Sequence, residues 1–192
     1  MTAHSGSLVG SRHRKDPPVD TADTGLLLAR MALGAFVAAH GVQKLTHFWG
    51  GTGLAGSVAE FDADGFRGGT VTALTAGVTQ VGSGLFLVLG LLTPAAAAGV
   101  IGVMTVAVTV KIPVGFWSQD GGFEYPLLLA LIAAAVAFTG PGELSLDAVL
   151  GIAGWGGWQT AIGAVTLGVV AALLMRGVLH DPERAQAASK PG

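Results

Sequence analysis

The chain contains no cysteine and few charged side chains among its 192 residues. The missing cysteine excludes disulfides, thiolate metal sites and dithiol redox relays within this sequence. Charged residues make up 11% of the chain, whereas soluble domains carry about 25%. With 51% hydrophobic residues, too few polar groups remain to cover a surface in water. The composition therefore predicts an integral membrane protein in a lipid bilayer, and the net charge of −2 argues against nucleic acid as a partner.

Apolar runs divide the sequence into segments that are long enough to cross a bilayer, which takes about 20 residues. We interpret the first run as a retained span rather than a cleaved signal peptide. No charged residue lies between Arg67 and Lys111, and Thr93-Pro94 divides that stretch because proline favours the first turn of a helix. The predicted spans cover residues 25–45, 70–92, 95–111, 123–139 and 158–175.

The predicted fold class is all-α, a membrane bundle with a four-helix core over residues 25–151 and an additional C-terminal apolar helix within 152–176. Residues 1–24 are predicted to be a disordered cytoplasmic tail, since basic residues before the first span favour the inner side. Helical spacing of apolar residues near 54–64 predicts an interfacial helix. A second disordered tail is predicted over 177–192. Whether residues 158–175 cross completely is left open, because a non-crossing helix would place more cations inside.

A group of ionisable side chains is expected at one end of the predicted bundle. His40 and Lys44 stand one helical turn apart on one face of span 1, with Gln43 beside them. The alternating direction of the spans puts Lys111 and Glu124 in the same leaflet. Isolated charges are costly in lipid, so we expect these groups to satisfy one another and to line a common ligand pocket. A structural role, in which the same contacts lock the spans together, is an equally weighted alternative.

Two further polar residues lie inside the predicted spans. Gln80 is expected to turn toward other helices and to form an interhelical hydrogen bond, and it is included among the pocket candidates. Arg30, early in span 1, has two open interpretations. Its long side chain can extend to the interface, or it can pair inside the bundle as a structural polar residue.

An ordered set of short motifs connects the sequence to a known family. The motifs are Leu28-Ala29-Arg30, His40-Gly41-Val42-Gln43-Lys44-Leu45, Gly50-Gly51-Thr52-Gly53-Leu54, Gly90-Leu91-Leu92-Thr93, Gly121-Gly122-Phe123-Glu124-Tyr125-Pro126-Leu127, and Gly140-Pro141-Gly142 followed by Leu144-Ser145-Leu146-Asp147. Together they resemble the DoxX family of small bacterial and archaeal membrane proteins over about residues 25–151. The resemblance implies a four-helix bundle in the bacterial plasma membrane.

The DoxX resemblance also carries expectations about individual positions. His40, Gln43, Lys44 and Glu124 match the polar pattern of the family. Gln80 stands where relatives often carry a glutamate, so a proton-moving role of that position is not retained here. A histidine is common in relatives near the position of Lys111.

Three functions are considered. The resemblance implies a subunit of a membrane redox system, linked to a quinone or a small sulfur compound and to oxidative or thiol stress. The alternatives are a non-catalytic scaffold for partner proteins and, least favoured, a small-solute transporter. The cofactor is unknown, since a quinone is implied only by the resemblance and no cofactor motif or metal spacing is present. The chain is therefore not expected to be catalytic alone, and redox partner subunits are expected to carry the electrons; homo-oligomerisation is left open.

Overall fold

A computed structural model describes residues 20–155, 157–181 and 183, and no β-strand occurs in these ranges. The predicted all-α class is therefore confirmed. The helices are α1 (Thr21–Leu45), α2 (Gly53–Ala63), α3 (Thr70–Leu89), α4 (Thr93–Lys111), α5 (Glu124–Thr139), α6 (Leu146–Val149) and α7 (Trp158–Leu179).

Four of these helices, α1, α3, α4 and α7, are long and apolar enough to cross a membrane. Helix α5 is apolar but shorter, with 16 residues. The first helix begins at Thr21, inside the segment predicted to be a disordered tail, and residues 1–19 of that tail lie outside the described part of the chain. The last helix extends to Leu179, beyond the predicted end.

Glycines set the closest helix contact, the antiparallel seam between α1 and α3. Gly34 and Gly41 of α1 lie against Gly84 and Gly77 of α3, in that order along the seam. A Cβ atom added to Gly84 would lie 2.5 Å from the carbonyl oxygen of Gly34. The backbones thus touch directly, which is the packing that small residues permit between helices in lipid.

The apolar core forms where α1, α3, α4 and α5 meet. Val37, Leu87, Val100 and Ala133 have no exposed surface and belong to one cluster with residues from all four helices. Helix α7 joins the bundle through α4, since a Cβ on Gly168 would lie 2.6 Å from the carbonyl oxygen of Ala98. The C-terminal apolar helix is therefore an integral part of the packed bundle.

The bundle has two ends that face opposite directions. We call the end marked by Thr21, Leu89 and Thr93 the near end, and the end marked by Leu45 and Lys111 the far end. Helix α7 starts at the near end, and at its other terminus the carbonyl of Leu179 accepts a hydrogen bond from the backbone N–H of Arg67, at 2.7 Å. The last helix thus extends from the near end to the far end of the bundle.

Candidate functional site

The last turn of α1 is joined to α2 by an ion pair at the far end. Lys44 Nζ lies 2.8 Å from Glu60 Oε2 and stands 5.3 Å from the centre of the Phe61 ring. The hydroxyl of Ser57, which is fully buried, donates to the backbone carbonyl of Lys44 at 2.9 Å. Helix α2 is therefore fixed to the last turn of α1.

Gln43 and His40 flank this ion pair and differ in their contacts. The amide of Gln43 donates to the backbone carbonyl of Trp49 at 2.9 Å. Trp49 has a φ of 52°, a left-handed conformation that is uncommon for a bulky residue and that this hydrogen bond helps to hold. His40 is exposed on the outer side of the helix, and its imidazole interacts with Gln43, Lys44 and Glu60. The charges of the Lys44–Glu60 ion pair therefore act on the imidazole of His40.

Lys111 and Glu124 close the loop between α4 and α5. Lys111 Nζ donates to the carbonyl of Gly121 at 3.0 Å, and Glu124 Oε2 accepts from the backbone N–H of Ser118 at 3.0 Å. The sequence predicted that the two lysines, His40 and Glu124 would satisfy one another. That pairing was wrong, because Lys44 pairs with Glu60, a residue outside the predicted set, and Glu124 bonds within its own loop.

A wider group of charges nevertheless assembles at the far end. We define the far-end cluster as His40, Lys44, Glu60, Asp64, Lys111 and His180, which come from α1, α2, α4 and the residue after α7. Asp64 interacts electrostatically with Glu60, Lys44, Lys111 and His180. Partial desolvation, and then the neighbouring Glu60 carboxylate, raise the pKa of Asp64 above its ordinary value of 3.8.

His180 reaches the cluster because the end of α7 pairs with the turn before α3. Backbone hydrogen bonds join Arg67 to Leu179 and Asp181 to Gly65, at 2.7 and 2.8 Å. Arg67 also forms an ion pair of 2.7 Å with Asp181. The predicted disordered tail from residue 177 is thus ordered as far as Asp181. No local pattern around His180 signalled this, because its partners lie more than a hundred residues earlier in the chain.

The raised pKa of Asp64 predicts how the stability of the folded protein depends on pH. A carboxyl group with a raised pKa in the folded state stabilises the fold below its ordinary value, and this contribution is lost as the pH rises through the raised pKa. We expect Asp64→Asn to gain stability relative to the wild type as the pH rises from the ordinary carboxyl pKa through the raised pKa of Asp64. Thermal unfolding of the purified protein in detergent at several pH values measures that gain.

Asp64→Glu is the matched control for this experiment because it keeps a carboxyl group at the same position. It should retain the pH dependence of the wild type. A constant difference between Asp64→Asn and the wild type over the whole pH range would contradict the proposed charge environment of Asp64.

At the near end, Arg30 is fully buried inside the bundle. Its Nη2 donates to the carbonyl of Leu144 at 2.7 Å, and its Nη1 lies 3.4 Å from the carbonyl of Leu87. A side chain on Gly90 would collide with the guanidinium group, so glycine makes room for it. Of the two interpretations of Arg30, the structure supports pairing within the bundle.

Asp147 is the acidic partner of the near end. Its carboxylate oxygens accept hydrogen bonds from the backbone N–H groups of Leu92 and Thr93, at 2.7 and 3.0 Å. These N–H groups belong to the first turn of α4, where they have no partner within the helix and a negative charge is favoured. Asp147 also interacts electrostatically with Arg30, so one carboxylate links the start of α4 to the buried arginine of α1.

Gln80 does not form the predicted interhelical bond through its carbonyl oxygen. The residue is 1% exposed, and its Oε1 has no hydrogen-bond partner within the described residues. Its Cβ faces Gly41 across the α1–α3 seam. Gln80 is therefore buried in the α1–α3 seam, opposite Gly41.

A comparison with protein families finds a match over the first half of the bundle. The DoxX family model matches residues 25–112, which cover α1 to α4. This stretch therefore matches a DoxX family domain. No curated protein and no solved structure matches the chain. The match is shorter than the predicted range of 25–151, so α5 to α7 lie outside it.

The DoxX domain and the apolar helices together indicate a multi-pass membrane protein. Most of the far-end cluster belongs to the matched stretch, whereas His180 does not. At the near end, Arg30 and Gly90 lie within the DoxX domain, but Asp147 lies beyond it. Both polar groups therefore join the family domain to the part of the bundle that follows it.

Proposed function

We propose that this DoxX protein is the membrane subunit of a redox system in the bacterial plasma membrane, with the N-terminus cytoplasmic. It is linked to a quinone or a small sulfur compound, and it serves during oxidative or thiol stress. The chain supplies a polar site at the membrane surface, while partner subunits carry the electrons, because no cofactor motif occurs in the sequence.

The observation that supports this proposal is the far-end cluster. Two lysines, two histidines and two carboxyl groups from four segments lie at one end of the bundle. Histidine exchanges protons near neutral pH, and lysines attract an oxyanion or a reduced quinone head group. Since His40 is exposed beside Lys44 and Glu60, it is the residue best placed to meet a ligand arriving through the lipid.

Quinone binding to the purified protein tests the proposal. Loss of a charge-assisted hydrogen bond is worth about 1.5–3 kcal/mol, so we expect at least about tenfold weaker binding in His40→Ala and in Lys44→Met. His47→Ala is the control, because His47 is an exposed imidazole at the same end but outside the cluster. Equal affinity in all four proteins would remove the proposed ligand site.

A scaffold without a ligand is the second candidate, and one observation favours it. Gln43, Lys44, Lys111 and Glu124 each have a partner inside the chain, as expected for residues that hold loops and helices in place. In that case Lys44→Met lowers the unfolding temperature or the recovery of partner proteins, and quinone binding stays at the wild-type level in every variant.

A further inference from the structure

A cavity at the near end lies apart from the far-end cluster and meets the near-end polar group only at Leu92 and Asp147. It measures about 380 Å³ and opens between the first turns of α4 and α7. Its walls include Pro94, Ala95 and Ala98 of α4 and Gly163, Ala164 and Leu167 of α7. This volume falls in the range of about 300–1,000 Å³ that is typical of small-molecule sites.

The cavity lies beside the contact between α4 and α7, which pack together at Ala98 and Gly168 and again at Ala97 and Ala161. At Gly168 the two backbones are so close that a Cβ would lie 2.6 Å from the carbonyl oxygen of Ala98. Five residues earlier, a Cβ on Gly163 would meet nothing within 4 Å. Small side chains on both walls leave the resulting gap unfilled.

The depth of the cavity places it among lipid tails. Trp158 at the start of α7 is 66% exposed, and exposed tryptophan at a helix end is typical of the membrane interface. From Thr160 to Leu167 the lining extends about 10 Å along the helix, away from that level. Leu167 and Leu92, which border the cavity, are both exposed, so its mouth faces the hydrocarbon around the bundle.

The lining also defines the chemistry of the occupant. Asp147 borders the cavity, but both of its carboxylate oxygens already accept hydrogen bonds from the start of α4. Thr160 likewise has an interaction of its own within the chain. The rest of the lining is apolar, so a quinone ring or another polar head group would gain little there, whereas an alkyl chain needs no polar partner.

We propose that this cavity is a lipid site that holds one hydrocarbon chain of a membrane phospholipid between α4 and α7. An apolar cavity of this size does not favour water, and the molecules in front of its mouth are lipids. The chain fills the gap between the DoxX domain and the last helix, and so it completes the packing of α7 on α4. The head group stays at the level of Trp158.

Photocrosslinking tests this site. The full-length protein is reconstituted in vesicles of phosphatidylcholine and phosphatidylglycerol with a trace of phosphatidylcholine that carries a diazirine on one acyl chain. After irradiation, the labelled residues are mapped by mass spectrometry. We expect labelling to concentrate on residues 92–98 and 160–167, and to fall by about fivefold in Gly163→Leu, whose side chain would occupy the cavity.

Gly177→Leu is the matched control, since Gly177 also lies on α7 with no atom within 4 Å of its Cβ position, but outside the cavity lining. It should leave the labelling of residues 160–167 unchanged. Ala95→Leu fills the cavity from the opposite wall and should reproduce the loss seen in Gly163→Leu. Retained labelling in both cavity variants, or uniform labelling around α7, would mean annular lipid only and would overturn the proposal.

A competition arm distinguishes the source of the hydrocarbon chain. Excess unlabelled phospholipid should reduce the labelling in proportion to its amount. Displacement of the probe by a few mole per cent of an isoprenoid quinone, beyond that proportion, would overturn the assignment to a phospholipid. Because quinone binding at the far-end cluster is tested with other variants, either proposal can fail while the other stands.

Discussion

Gly84→Leu is expected to abolish the native α1–α3 seam. The Cβ atom alone would lie 2.5 Å from the carbonyl oxygen of Gly34 and 2.6 Å from the amide nitrogen of Ala38. Both obstacles are backbone atoms of α1, so no side chain can rotate away and the two helices must separate. Overpacking costs typically about 1–3 kcal/mol and sometimes more, and we place this variant at the upper limit or beyond it.

Thermal unfolding in detergent, with size-exclusion chromatography, measures this effect. A loss of about 3 kcal/mol corresponds to a fall in unfolding temperature on the order of 10 °C for a chain of this length. Gly82→Leu is the control two residues earlier on the same helix, where a Cβ would meet nothing within 4 Å. An equal effect of the two substitutions would show that the seam does not depend on close backbone contact.

Arg30→Met is expected to have the second large effect. The substitution fills similar space but removes the donors to the carbonyls of Leu87 and Leu144, and it leaves Asp147 without its buried counter-charge. Leaving a buried hydrogen-bond acceptor without its donor costs about 1–3 kcal/mol, and this substitution leaves two such carbonyls. Much of that cost is the penalty for the group that stays buried without a partner.

A double-mutant cycle measures how much of the loss comes from the charge of Asp147. In Arg30→Met combined with Asp147→Asn, the unpaired charge is gone, so the loss should be smaller than the sum of the two single losses. Arg176→Met in the last turn of α7 is the control for losing an arginine at a helix end, and a change within about 0.5 kcal/mol is expected. Additive single losses would show that Arg30 and Asp147 act independently.

Some parts of the far-end cluster followed from the sequence. The spacing of His40 and Lys44 predicted one shared face, and the alternation of spans predicted that Lys111 would lie at the same end of the bundle. The partner of Lys44 was not predictable by the same reasoning. Glu60 falls within the predicted interfacial helix near residues 54–64, but nothing in the local pattern fixed how that helix would lie against α1.

The near end presents the same contrast at Arg30. Its position in the first span signalled an unusual charge, but interface exposure and burial were equally compatible with that position. Burial depends on the gap at Gly90, on the carbonyl of Leu144 and on the charge of Asp147, all of which come from later segments. The ordering of His180 likewise depends on a pairing with the distant turn at Gly65 and Arg67.

The sequence by itself determined the membrane environment, the helical class and the approximate spans, because these follow from local composition and from the length of a bilayer crossing. It also determined which side chains must avoid lipid. Only the tertiary structure decided their partners and the cavity beside α7, because these depend on how closely two helices approach and on how they are rotated about their axes. Such distances are set by glycines that face each other across a seam, and a single helix sequence does not contain them.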